Sequence, residues 1–150
     1  MKNRIDKNAI LQASIEKQNE LINHFEKREA EVNADTFSQN ESASQSEDRR
    51  AGKYELLKSL GDELAFAQQE LAYLNSLDVT KESTNVEPGA TVVTDKLTFF
   101  ISTSSEKIEI DGVTIVGIST RAPIYANMRG LQKGNSFKFN ETNYVIEDLY

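Results

Sequence analysis

Two runs of residues, each stepping by alternating threes and fours, occupy the first half of the sequence. The first runs Leu11, Ile15, Gln18, Ile22, Phe25, Glu29, Val32. The second runs Leu57, Leu60, Leu64, Ala67, Leu71, Leu74. Such spacing keeps one seam of an α-helix facing a partner helix, so both runs read as coiled-coil strands. Ile10 and Leu21 widen the first seam, and Phe66 and Tyr73 flank the second. The first seam turns polar toward its end, which predicts fraying beyond Val32. Two seams of similar length separated by a polar stretch form an antiparallel helical hairpin. At 1.5 Å per residue each helix reaches roughly 35–45 Å, longer than a small domain is wide, so the hairpin is expected to project. The leucines at Leu57, Leu64 and Leu71 are structural on this reading, not a ligand surface.

The connection between the seams is acid-only over a long stretch. No base occurs from Glu29 through Asp48, whereas Glu29, Glu31, Asp35, Glu41, Glu47 and Asp48 all fall there, and Arg49 and Arg50 follow at once. A solvated turn explains such a stretch. So does a carboxylate tip built to reach something. The net charge of -7 argues against a general phosphate-backbone binder. It leaves room for docking in a basic channel of a larger partner, where the field would aid encounter. Without cysteines the chain has no disulfide, thiolate metal site or thiol nucleophile. No apolar leader or membrane-spanning run is present, and a soluble, cytoplasmic protein is expected. His24, the single histidine, reads as a solvated helix residue rather than a base or ligand.

After the second seam the texture changes. Residues 79–87 read as a linker that ends in a turn at Pro88-Gly89. Strand candidates follow at Thr91–Thr103, Lys107–Ile110, Val113–Ser119, Ser136–Phe139 and Asn143–Tyr150, with Asp111-Gly112 as a tight-hairpin signal. Pro123 suits the first turn of a short helix. Gly130 and Gly134 turn the chain afterwards; "RGLQKG" lacks the ending of a phosphate-binding loop. The expected fold is therefore α+β: a long antiparallel helical hairpin over 1–78 with its acidic tip around 35–50, then a small antiparallel β domain with one short helix over 88–150. Gly52 either permits a close helix approach or marks the true start of the second helix.

This order of parts resembles the GreA/GreB family of bacterial transcription elongation factors. "PGATV" (Pro88–Val92), "TIVG" (Thr114–Gly117), "APIYANMRGLQKGNSFKF" (Ala122–Phe139) and the closing "YVIEDLY" are similar, in order, to that family's C-terminal motifs. The resemblance implies an FKBP-like C-terminal domain seated at the rim of the RNA polymerase secondary channel. It also implies a coiled coil inside that channel, and tip carboxylates that help hold a magnesium ion of the polymerase's own site while backtracked RNA is cleaved. Hard oxygen ligands and a paired-metal site suit that chemistry. Such a protein is an accessory factor, not itself an enzyme. It acts as a monomer with RNA polymerase as partner, touches the RNA 3′ end indirectly and needs no membrane.

The tip departs from the family pattern. With Tyr54 aligned to the family's tip tyrosine, Glu47 takes one acid position but Arg50 takes the other. With the second helix aligned without a gap, the acid positions fall on Ala43 and Ser46. Neither placement supplies the carboxylate pair. Glu47, Asp48 and Glu41 remain the candidate acids, with Glu47 and Asp48 as candidate magnesium ligands, since adjacent residues in a loop are free to turn both oxygens to one ion. Arg49 and Arg50 are candidates for holding a phosphate or a polymerase carboxylate. By analogy with the face that relatives present to the polymerase, Ile124, Tyr125, Met128 and Arg129 are candidate docking residues. Both a cleavage-promoting factor and a channel-binding regulator with little cleavage activity fit these residues. A peptidyl-prolyl isomerase, which the FKBP-like expectation also raises, fits poorly with the absence of Trp. A coiled-coil interaction protein unconnected with transcription is the third reading.

Overall fold

The computed structural model describes residues 4–34 and 43–150; in the second helix the side chains described begin at Arg50. Helix α1 spans Lys7–Ala34 and α2 spans Ala43–Ser76. Asp6 caps α1, its Oδ1 accepting the backbone N–H of Asn8 at 3.2 Å. Strands β1 (Thr91–Thr94), β2 (Thr98–Ser102), β3 (Ile108–Ile110) and β4 (Val113–Ser119) follow, then α3 (Pro123–Met128), β5 (Ser136–Phe139) and β6 (Thr142–Leu149). The fold class is α+β, two helices and then one six-stranded sheet with a short helix. Two compact units are distinguishable. One comprises Met1–Lys17 with Ala72–Tyr150, the other Gln18–Leu71. The division falls inside the two long helices, not in the 79–87 connection.

Within the Gln18–Leu71 unit the helices run antiparallel. Gln18 Nε2 donates to the carbonyl of Ala67 at 2.8 Å, and Lys53 Nζ donates to the carbonyl of Asn33 at 3.3 Å, so partners descend along α2 as they ascend along α1. Ile22, Val32, Leu60 and Ala67 are buried, while Phe25, Glu29, Leu57 and Leu64 are half-buried. Two helices alone give a thin core, and only part of each seam is closed off from water. Gln18 is 6% exposed, a buried amide inside an apolar seam. Its bond to a helix carbonyl satisfies the group and favours one register over its neighbours. Gly52 lies well inside α2, and a Cβ there would meet nothing within 4 Å. It marks neither a close approach nor the helix start, which is at Ala43.

In the other unit the strands are ordered β3-β4-β2-β1-β6-β5. All neighbours are antiparallel except β2 and β4, which run parallel from Thr98↔Ile115 to Ser102↔Ser119. The sheet is mixed, where an all-antiparallel one was expected. The long strand expected over Thr91–Thr103 is in fact two strands joined by a turn at Asp95–Leu97. There Thr94 Oγ1 accepts the N–H groups of Lys96 and Leu97 and donates to the Leu97 carbonyl. A threonine side chain has replaced the ladder at that point, which folds the strand back on itself.

Side chains alternate across β2, so Phe99 and Ile101 face one core and Phe100 the other. On the first face they join Val92, Tyr125, Met128 and Ile146. On the second, Phe100 and Ile115 pack against Ile10, Leu11 and Leu74 at the ends of the long helices. Every residue of β2 is buried for that reason. The 79–87 connection is also docked. The Val86 N–H donates to Leu131 O at 2.8 Å, the Gly130 N–H returns to Val86 O at 3.0 Å, and Val86 is 2% exposed.

The parallel β2–β4 pair requires the chain leaving β2 to pass β4 before it reaches the outer position of β3. It does so at Gly117. A Cβ built there would lie 2.5 Å from the carbonyl oxygen of Thr103 and 2.5 Å from Ser105 Oγ. A serine side chain can swing aside; a carbonyl in the crossing backbone cannot. Gly117→Ala is expected to destabilise the protein by about 1–3 kcal/mol, the usual cost of overpacking, seen as a lower urea midpoint with unchanged slope. The β5–β6 turn offers the converse case. Asn140 and Glu141 both have positive φ, 47° and 69°. The left-handed region costs a non-glycine residue roughly 1 kcal/mol, so Glu141→Gly is expected to raise the unfolding free energy by up to about 1 kcal/mol, seen as a higher urea midpoint.

Candidate functional site

The acidic connection divides into two parts. Glu41 lies outside the described residues, as do the side chains of Glu47, Asp48 and Arg49. The backbone at 43–50 belongs to α2, however. Glu47 and Asp48 were expected in a loop free to turn both carboxylates to one ion. The backbone there is instead the start of α2. Among the described residues no group of three or more His, Asp or Glu side chains is placed to hold a metal ion.

Just beyond this stretch the helix pair is mixed in charge. A cavity of about 600 Å³ is lined by Arg28, Glu31, Val32, Gly52, Lys53 and Leu56. Arg28 and Glu31 pair at 3.7 Å one turn apart, and Arg50 is exposed on α2. Tyr54, aligned above with the family's tip tyrosine, is 72% exposed. The accessible surface therefore offers bases and an aromatic ring beside the acids. His24 is exposed, with its ring 5.9 Å from that of Phe25.

Helix α3 opens with Pro123 in its first turn, as expected, and its next turn buries what faces the sheet. Ile124, Tyr125 and Met128 are 8%, 7% and 0% exposed and belong to the core cluster around Phe99 and Val92. Three of the four candidate docking residues are thus core residues, because spacings of one and four place them on the inner face of a six-residue helix. Arg129, which follows the helix, is exposed. Asn127 Nδ2 donates to Lys138 O at 2.9 Å and ties α3 to the outermost strand β5.

A polar cluster that no local pattern announced lies where the ends of the described chain meet. Arg4 holds Asp148 with both arms of its guanidinium, Nε to Oδ2 at 2.9 Å and Nη2 to Oδ1 at 3.0 Å, while Nη1 donates to Glu82 Oε1 at 2.6 Å. The guanidinium carbon also sits 4.8 Å from the centre of the Tyr150 ring. Close by, Lys7 is buried and donates from Nζ to the carbonyl of Lys81 at 2.8 Å. Burial lowers its pKa, against the pull of Glu87, Glu82 and Asp78. Arg4 and Asp148 are 144 residues apart, so sequence spacing carries no trace of the pair. The one available signal was the acid pair Glu147-Asp148 in the closing strand, and nothing in it singles out Asp148.

No family model matches the chain, and no curated protein does either. Among solved structures, the crystal structure of GreA factor homolog 1 (Gfh1) protein of Thermus thermophilus matches over 95% of this chain and 93% of that one. The identity is 13% and the TM-score 0.35. A likeness of that size is distant, and the reading of fold and site rests on this chain's own residues. Among the described residues no helix is long and apolar enough to cross a membrane.

The Arg4–Asp148 bond has a pH signature. The hydrogen bonds from Arg4 hold the Asp148 carboxyl below the usual carboxylate range, against a smaller opposing effect of burial. A carboxyl whose folded pKa lies below its unfolded value, about 3.9, stabilises the fold fully above that pH. That stabilisation is lost as pH falls through the folded value. Urea midpoints measured against pH are therefore expected to drop more steeply below about pH 4 in the native sequence than in Arg4→Ala, which has no such bond to lose.

Proposed function

We propose that this protein is an accessory factor of RNA polymerase that inserts its helical hairpin into the secondary channel and modulates cleavage of backtracked RNA. The observation that carries the reading is the antiparallel pairing of two helices of 28 and 34 residues, with Asp35 and Glu41 in the connection between them and Glu47 and Asp48 at the start of the second. At 1.5 Å per residue these helices are about 42 and 51 Å long, a scale that suits a channel in a large enzyme. The ordered C-terminal motifs from Pro88 to Tyr150 supply the second support. The net negative charge supplies a third, because it favours encounter with a basic channel.

Between promoting cleavage and restraining it, one observation favours restraint. Arg49 and Arg50 directly follow Glu47 and Asp48 in the sequence, and positive charge beside the acids weakens the stretch as a cation site. On this reading magnesium belongs to the polymerase's own ligands. The hairpin then acts by occupying the channel, and Arg49 and Arg50 are the candidates for meeting phosphate or polymerase carboxylates.

The experiment combines binding and chemistry. The protein is expected to bind cognate polymerase and to be displaced by another secondary-channel binder. On a backtracked complex with Mg²⁺ it is expected to leave cleavage unaccelerated or slowed, and Glu47→Ala with Asp48→Ala is expected to leave binding intact. If the native sequence accelerates cleavage and the double substitution lowers that rate about tenfold or more, the order seen when a positioned ligand or acid–base group is lost, the promoting reading replaces the restraining one. No interaction with polymerase at micromolar concentration removes the transcription reading altogether.

A further inference from the structure

Residues 4–6 lead into α1 across the sheet unit, and side chains hold them there. Arg4 is gripped by Asp148 and Glu82 and lies against the Tyr150 ring. The backbone of Ile5 is met by a phenol in place of a neighbouring strand. Its N–H donates to the Tyr150 hydroxyl at 2.9 Å, and that hydroxyl donates in turn to the Ile5 carbonyl at 2.8 Å. A tyrosine hydroxyl serves both ends because it is donor and acceptor at once. Tyr150 itself is firmly set. Its N–H donates to Thr91 O at 3.1 Å and its carbonyl accepts the Thr91 N–H at 2.7 Å, which extends the β1–β6 ladder by one bridge.

Arg4, Ile5 and Tyr150 each line two cavities. One, of about 730 Å³, has Val93, Thr98 and Val113 of the sheet among its walls. The other, of about 250 Å³, is bounded by Lys7, Thr80 and Lys81. The segment is thus a wall common to both cavities.

We infer that residues 4–6 form a releasable strap, hinged at Asp6, whose departure opens the sheet face over Val93 and Thr98. Three features make release feasible while the fold stays intact. Asp6 caps α1 through its own side chain, so the helix keeps its first turn when Arg4 and Ile5 leave. The grip on Arg4 is accessible to water: its side chain is 42% exposed and that of Glu82 is 64% exposed, so salt competes for the pair. Tyr150 stays in place through its backbone bonds to Thr91, so the latch can close again on a preset partner. The strap regulates access to a cavity, a role separate from the helical hairpin and independent of the polymerase reading.

The absence of cysteine supplies a clean test. Thr98 is 8% exposed and lies on the cavity wall, so Thr98→Cys introduces a single thiol behind the strap. N-ethylmaleimide labelling of this variant of the 150-residue chain is expected to quicken about tenfold when Arg4→Ala is added, as local opening becomes easier. Tyr150→Phe, which keeps the ring but deletes both bonds to Ile5, should act in the same direction. Raising NaCl from about 0.05 M to about 1 M should speed labelling in the Thr98→Cys protein and have little effect once Arg4 is alanine. The salt arm needs no second substitution, and circular dichroism at each condition confirms that the fold persists. Labelling rates that are equal in all backgrounds and indifferent to salt, with the fold retained, would overturn the strap.

Discussion

Strand β2 is where the sheet unit is held together. Its five residues are buried because the pleat sends Phe99 and Ile101 into one core and Phe100 into the other, and each core is closed by different parts of the chain. A fully buried aromatic side chain contributes about 2–3 kcal/mol of hydrophobic stabilisation. The loss of either phenylalanine would therefore weaken a small domain substantially. Around β2 the neighbouring strands find their places: β1 folds back through the Thr94 turn, and β4 slots in parallel on the other side. Gly117 then becomes unavoidable, since the chain returning to the sheet edge must pass over it.

On the second face of the sheet, Phe100 and Ile115 are covered by Ile10, Leu11 and Leu74, the first and last turns of the long helices. The helix ends therefore belong to the sheet's own core, and the compact unit divides inside α1 and α2. The middle of each helix must rely on a thinner interface, in which Gln18, a buried polar residue bonded to a carbonyl of the partner helix, fixes register. Register matters to the proposed function because a slip of one turn would shift the acid-bearing connection by about 5.4 Å.

The candidate site was only partly legible from residues alone. The acid-only connection was visible by inspection, but the chemistry of Glu47 and Asp48 depends on whether the backbone there is loop or helix. Polar residues such as Ser44, Gln45 and Ser46 favour neither strongly. The docking candidates of α3 were hard to read for a different reason. Ile124, Tyr125 and Met128 have the same composition whether they face a partner or a core, and burial alone separates the two cases. The Arg4 cluster could not be read at all, because it joins three stretches of chain that meet only after the sheet has formed.

Local periodicity and turn chemistry encode the two helices through their three-four seams, the Asp111-Gly112 hairpin, the proline start of α3 and the α+β order of parts. These depend on interactions between residues a few positions apart, which composition and spacing record directly. The parallel β2–β4 pairing, the crossing over Gly117, the docking of Val86 against Gly130 and Leu131, and the Arg4–Asp148–Tyr150 latch arise only as the chain packs. Each joins residues brought together by the packing of both sheet faces, and long-range burial leaves no period in the chain that makes it.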